Sequence, residues 1–137
     1  MRRFIAYLYG LSLVRFVLTG VLNTLVGLGT IFALKWFFQM ADTPANLLGY
    51  GVGLVVSYLV NSRWTFQYKN ALLPVLPQYL GVILLAYLVN LGCVHFCIRQ
   101  LQWNSYVAQA CGVLPYAGLS YVLLRWFVFG KRADSTA

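Results

Sequence analysis

Apolar residues run along this chain in four long uncharged stretches, 16–34, 43–62, 70–98 and 100–124, separated by short clusters of charged, polar and turn-forming residues. A helix rises about 1.5 Å per residue, so each stretch has about the length needed to cross a hydrocarbon core roughly 30 Å thick. The pattern predicts an all-α membrane protein of one domain, 1–137, with four transmembrane helices over about 16–37, 44–62, 75–98 and 104–125. A short basic segment at 1–14, carrying Arg2 and Arg3 ahead of Phe4, Ile5, Tyr7 and Leu8, is expected to form an interfacial helix leading into the first span, and 126–137 a basic tail. The first apolar run is long and no small-residue site closes it, so it reads as a span and not as a cleaved leader.

The pattern also repeats. The second apolar run ends in Ser57-Tyr58-Leu59-Val60-Asn61-Ser62-Arg63-Trp64-Thr65-Phe66, and the fourth in Ser120-Tyr121-Val122-Leu123-Leu124-Arg125-Trp126-Phe127-Val128-Phe129, with Ser, Tyr and the last Phe 63 positions apart. The same offset pairs Gly49 with Gly112, Ala45 with Ala108, Phe16 with Tyr79 and Lys69 with Arg132. The chain therefore reads as two helical hairpins, each ending in a collar of cationic and aromatic residues. Such a collar suits a helix leaving a bilayer, where Arg reaches headgroup phosphate and Trp sits at the interface.

Composition agrees with the pattern: 61% of residues are hydrophobic and only 9% charged, against about a quarter charged in soluble domains. The ten basic residues add orientation. Arg2, Arg3, Arg15, Arg63, Lys69, Arg125, Lys131 and Arg132 fall on the side of both termini and the middle loop, leaving Lys35 and Arg99 on the other. This bias places both termini in the cytoplasm, with the protein in the inner (plasma) membrane. The net charge of +8 flanks spans and forms no solvated patch, so lipid phosphate is the expected anion and nucleic acid is not a partner.

Within the spans, Gly20, Asn23, Thr24, Gly27 and Thr30 give the first helix a small and polar face, and Gly49, Gly53, Ser57 and Asn61 form a column at intervals of four in the second. An amide at Asn23, deep in hydrocarbon, is costly unless something bonds it. Thr43-Pro44 predicts a helix start with Thr as N-cap, while Gly112, Pro115 and Gly118 predict a kink in the fourth span. Cys93 and Cys97 lie one turn apart with His95 between them, and no second pair stands at ligand spacing, so no metal site is expected and the thiols read as filler. His95 and Arg99, again one turn apart, read as ordinary interfacial residues near the outer surface. The chain has no Glu, and its two Asp residues, Asp42 and Asp134, fall in a loop and the tail. No embedded carboxylate offers a proton relay, which disfavours a proton-driven exporter of cations. Nor is there an acid–base pair, an activated nucleophile or a phosphate-cradling loop, so neither an enzyme nor a cofactor is expected.

Three motifs, Arg15-Phe16-x-x-x-Gly20-x-x-Asn23-Thr24, Asn61-x-x-Trp64-Thr65-Phe66 and Arg125-x-x-Val128-Phe129, together resemble the GtrA-like family of small four-helix membrane proteins, from about Val14 to Phe129. The resemblance implies movement of a polyprenyl-phosphate-linked sugar, such as an undecaprenyl-phosphate sugar, across the bacterial inner membrane during cell-surface polysaccharide synthesis. In that setting Arg15, Arg63 and Arg125 are expected to bind the lipid phosphate, to which guanidinium offers bidentate contacts. Asn23, Thr24, Ser57, Asn61 and Asn90 would line the sugar's path, with Trp64, Phe66 and Trp126 as interfacial aromatics. The chain departs from the family at Ser62, where a second cation is frequent, and has Leu124 where its own first repeat has Asn61, so unequal binding by the two halves, or binding by one alone, is expected. The GxxxG face predicts a homodimer. Some relatives are fused to or paired with a membrane glycosyltransferase, and the alternative function is a non-transporting subunit that anchors or assists such an enzyme.

Overall fold

The computed structural model describes residues 2–130; Met1 and 131–137, including Lys131, Arg132 and Asp134, lie outside it. Of the described residues 86% are helical, and none lies in a strand. Four helices, α1 (Arg2–Phe38), α2 (Asp42–Val60), α3 (Leu76–Arg99) and α4 (Ser105–Leu123), form the fold. A π-helical turn extends α2 over Asn61–Thr65 and another extends α4 over Leu124–Val128, and a short 3₁₀ turn, Leu73–Val75, precedes α3. With these turns included, all four are long and apolar enough to span a bilayer.

The chain divides into two compact units, 1–69 and 70–137. In the first, α1 packs on α2; in the second, α3 packs on α4. The 63-residue repeat is visible in the backbone: α2 and α4 have 19 residues each and begin 63 positions apart, and the two five-residue π turns keep that offset. Both turns close with the same bond, from Phe66 N–H to the Asn61 carbonyl and from Phe129 N–H to the Leu124 carbonyl, each 2.9 Å. Phe66 then meets Phe16 at a ring separation of 6.2 Å, and Phe129 meets Tyr79 at 6.4 Å, with interplanar angles of 50° and 49°.

The hairpin bends are alike too. After α1 the chain turns through Gln39 at φ 48°, with Met40 N–H bonded to the Leu34 carbonyl; after α3 it turns through Gln102 at φ 52°, with Trp103 N–H bonded to the Cys97 carbonyl. A left-handed residue reverses the chain and lets a following N–H reach a carbonyl that the ending helix leaves unpaired.

One local expectation, the start of α2, needs revising, and two others gain detail. The segment from residue 2 to 14 is helical and leads without a break into the first span, as α1 runs from Arg2 to Phe38, consistent with the absence of any proline before Pro44. Helix α2 starts at Asp42 with Ala41 as its N-cap, so Thr43 and Pro44 lie inside the first turn, where a missing N–H costs no helical bond. Helix α4 carries Pro115 in its interior, with helical residues on both sides of it.

Close approach within each hairpin depends on glycine. A Cβ on Gly49 would stand 2.3 Å from Ile31 Cγ1 and 2.9 Å from the Gly27 carbonyl oxygen, so the α1 and α2 backbones nearly touch there. A Cβ on Gly112 would meet Val94 Cγ2 at 2.6 Å and Asn90 Nδ2 at 2.8 Å, and Val94 and Asn90 are the 63-residue counterparts of Ile31 and Gly27. The Gly49–Gly53 face foreseen as a contact for a second copy is therefore covered by α1 of its own hairpin. Large apolar side chains point outward instead: Leu25 and Phe32 are each 64% exposed, an arrangement that fits lipid and not water.

Candidate functional site

The π turn after α2 gathers the first hairpin's cationic and aromatic residues at one end. Helix ends leave carbonyls without intrahelical donors, and cations are favoured there. Arg15, partly buried on α1, donates from Nη1 to the Trp64 carbonyl at 3.2 Å, and its guanidinium carbon lies 5.8 Å from the centre of the Trp64 ring. Such a contact combines a charge-assisted hydrogen bond with cation–π attraction. Arg63, one residue before Trp64, donates from Nη1 to the Tyr68 carbonyl at 2.7 Å. Gln67 takes φ 52° between them, and Tyr68 N–H bonds the Ser62 carbonyl at 2.7 Å. Arg15, Arg63, Trp64 and Phe66 thus form one collar, with Trp64 44% exposed at its rim.

Beneath the collar a polar line follows the α1–α2 seam. Thr19 and Thr65, both buried, share a hydrogen bond of 3.0 Å, and Thr19 Oγ1 also donates to the Arg15 carbonyl at 2.9 Å. Asn61, 3% exposed, donates from Nδ2 to Ser57 Oγ at 3.1 Å, while no donor among the described residues reaches its buried Oδ1. Two turns deeper, Asn23 lies over Gly53 so closely that a Cβ there would be 2.6 Å from Asn23 Oδ1, which also has no donor among the described residues. From Asn23 a groove of about 280 Å³ continues along Thr24, Gly27, Gly49 and Asn46. Thr24 ties its hydroxyl to the Gly20 carbonyl at 3.0 Å, and Asn46 Nδ2 donates to the Asp42 carbonyl at 2.7 Å, close to the Lys35–Asp42 ion pair at the far end. The seam from Asn46 to Thr65 covers 19 residue steps, about 28 Å of helix, close to the thickness of a hydrocarbon core. A larger concavity of about 660 Å³ along Phe32–Phe37 is wide open and formed by α1 side chains alone, a lipid-facing surface and no polar route.

In the second hairpin Arg125 is partly buried and Trp126 is 59% exposed at the π turn, and Asn90 packs its amide against Gly112. Gly130 closes that collar where a Cβ would be 2.6 Å from the Arg125 carbonyl oxygen. Cys93, Cys97 and Cys111 are free thiols, and among the described residues no three His, Cys, Asp or Glu side chains gather as metal ligands.

Sequence reasoning missed the Thr19–Thr65 pair. Its signal was present: Thr19 falls four after Arg15 and four before Asn23, and Thr65 falls four after Asn61, so both continue columns already read.

Two like hairpins, each with a glycine-packed seam and a cationic aromatic collar, define a small four-span integral membrane protein. The chain belongs to the family described as GtrA/DPMS, transmembrane domain, which matches residues 15–129. It is 22% identical over 123 residues to the uncharacterized membrane protein YwcD of Bacillus subtilis (strain 168), covering 87% of this chain and 97% of that protein. It is also 39% identical over 59 residues to the uncharacterized membrane protein YngA of the same organism, covering 43% of this chain and 39% of YngA. No solved structure matches the chain significantly.

Proposed function

We propose that this protein moves a polyprenyl-phosphate-linked sugar across the bacterial inner membrane, without enzymatic chemistry or a cofactor. The observation that carries the reading is the polar seam of the first hairpin, which joins a guanidinium collar to a groove at the opposite half of the same helix pair. A lipid-linked sugar has a phosphate at interface depth, a hydroxylated head that must cross hydrocarbon, and a chain that stays in lipid. Arg15 and Arg63 suit the phosphate: each bond to a backbone carbonyl uses one of a guanidinium's five donors and holds the group at the collar. Arg125 is a phosphate contact of the second hairpin. Ser57, Asn61, Asn23 and Thr24 offer hydrogen bonds to the head along the first hairpin's seam, and Trp64, Phe66 and Trp126 form aromatic rims at which the lipid is received. The bias of basic residues sets the collars and both termini in the cytoplasm. With no nucleotide site or embedded carboxylate in the sequence, the lipid runs down its own gradient, made inside and consumed outside.

Reconstituted protein is expected to speed transbilayer movement of a polyprenyl-phosphate hexose over protein-free vesicles, and Arg63→Ala to slow it severalfold. Equal rates with and without protein contradict the proposal.

A second reading, a non-transporting subunit that anchors or assists a membrane glycosyltransferase, is favoured by one feature: both first-hairpin arginines brace backbone carbonyls, as a fixed docking surface would need. It requires collar variants to lose capture of a glycosyltransferase while vesicles show no lipid movement.

A further inference from the structure

The repeat supplies an internal comparison. Along the first hairpin's seam stand Thr19, Asn23, Asn61 and Thr65; 63 positions on, the second hairpin has Val82, Ala86, Leu124 and Val128, all four buried. The backbone is repeated, down to the π turns and the ring contacts that close them, yet each of these polar positions is apolar in the second copy. Gly53, which makes room for the Asn23 amide, is Tyr116 in the second copy, where Asn23 itself is Ala86. Packing therefore does not require polar groups at these places, since the second hairpin assembles the same architecture without them.

In the first hairpin two of the four are also unsatisfied. Asn61 lies on the α2 face that meets α1, between Gly53, which touches Asn23, and Thr65, which bonds Thr19. It is 97% buried, and only one end of its amide has a partner. Turning the amide over would exchange an unpaired acceptor for an unpaired donor. Asn23 Oδ1 is buried at the head of the groove in the same condition. Buried polar groups are nearly always paired, so two without partners on one seam point to something that pairs them during function. The eight residues from Gly53 to Asn61 set the two amides about 12 Å apart along the helix. A hydroxyl both donates and accepts, so a group with several hydroxyls serves either orientation of each amide.

We infer that the two hairpins divide the work: the first passes the hydroxylated head of the lipid along its α1–α2 seam by way of Asn61 and then Asn23, and the α3–α4 seam of the second, beneath its Arg125 collar, is a packing scaffold. This rests on the carrier reading above and deepens it, making the duplicated fold functionally one-sided and giving Asn90, over Gly112, a structural task.

The test uses the full chain in proteoliposomes with a labelled polyprenyl-phosphate hexose, beside protein-free vesicles, and melting temperatures of the same preparations. Asn23→Ala and Asn61→Leu give the first hairpin the residues that the second carries at the same places; Val82→Thr combined with Val128→Thr does the reverse. Each first-hairpin variant is expected to lower the rate at least tenfold with the melting temperature unchanged or raised, because an unpaired buried amide has been removed. The Val82→Thr and Val128→Thr double variant is expected to keep the rate within twofold. If the parent moves the lipid and Asn23→Ala and Asn61→Leu move it equally fast, or if the double variant loses it tenfold at an unchanged melting temperature, the division of labour is overturned while the carrier reading stands. A lowered melting temperature accompanying the lost rate would make the amides structural and likewise overturn it. A parent no faster than empty vesicles overturns both.

Discussion

At the scale of single residues, the buried hydroxyl pair Thr19–Thr65 shows how polar groups live in this hydrocarbon-facing fold. Each hydroxyl is satisfied inside the hairpin, by the other and, for Thr19, by the Arg15 carbonyl one turn back. Removing one partner strands the other, which costs about 1–3 kcal/mol, whereas removing both with side chains of the same shape is nearly neutral. Val82 and Val128 already occupy the equivalent places of the second hairpin, so the double replacement has a precedent in the same chain. Thr19→Val is therefore expected to destabilise the protein by about 1 kcal/mol, and adding Thr65→Val to recover most of that loss. Thermal unfolding of both variants in detergent checks it, and strictly additive losses would show that the hydroxyls do not depend on each other.

At the scale of elements, the helices end where polar residues interrupt the apolar runs, but the manner of ending is set by backbone geometry that composition does not display. Three non-glycine residues, Gln39, Gln67 and Gln102, take left-handed φ values of 48°, 52° and 52° at turns that follow helices. A side chain makes this conformation unfavourable, and glycine occupies it without steric cost. Gln102→Gly is expected to raise stability by about 0.5–1 kcal/mol, read as a higher melting temperature, provided the Trp103 N–H to Cys97 carbonyl bond of 3.1 Å is retained. An unchanged or lower value would mean that the Gln102 side chain stabilises the bend.

What the sequence could reveal of these elements follows from which physics is local. Span number and the hairpin repeat were legible because hydrocarbon thickness imposes a length and duplication leaves Gly49/Gly112 and Ala45/Ala108 in register. The π turns were not, since a bond from Phe66 to Asn61 differs from a helical one only in skipping a residue. The start of α2 was misplaced by two residues because Thr43-Pro44 carries a strong local signal that the first turn tolerates just as well. The face of Gly49 and Gly53 was read correctly as a contact surface, but its occupant, α1 of the same hairpin, follows only from tertiary packing.

At the scale of the whole molecule, duplication gave two helix pairs with one architecture and different interiors. The first keeps a polar line from Arg15 and Arg63 through Thr65, Asn61, Ser57 and Asn23 to the Asn46 end of its groove. The second breaks the corresponding line with Val128, Leu124 and Ala86. Sequence motifs named most of the polar side chains, and the substitutions of the second copy show which of them packing does not need. The consequence is a protein that bears two collars but one continuous polar seam, and the seam is the feature on which the account depends. A polyprenyl-phosphate hexose carrying a photoreactive diazirine on its sugar, cross-linked in proteoliposomes and mapped by peptide mass spectrometry, tests it most directly. Label is expected on the α1 and α2 peptides containing Asn23 and Asn61, competed away by unlabelled lipid. Label confined to α3 and α4, or spread over all four helices without competition, would contradict it.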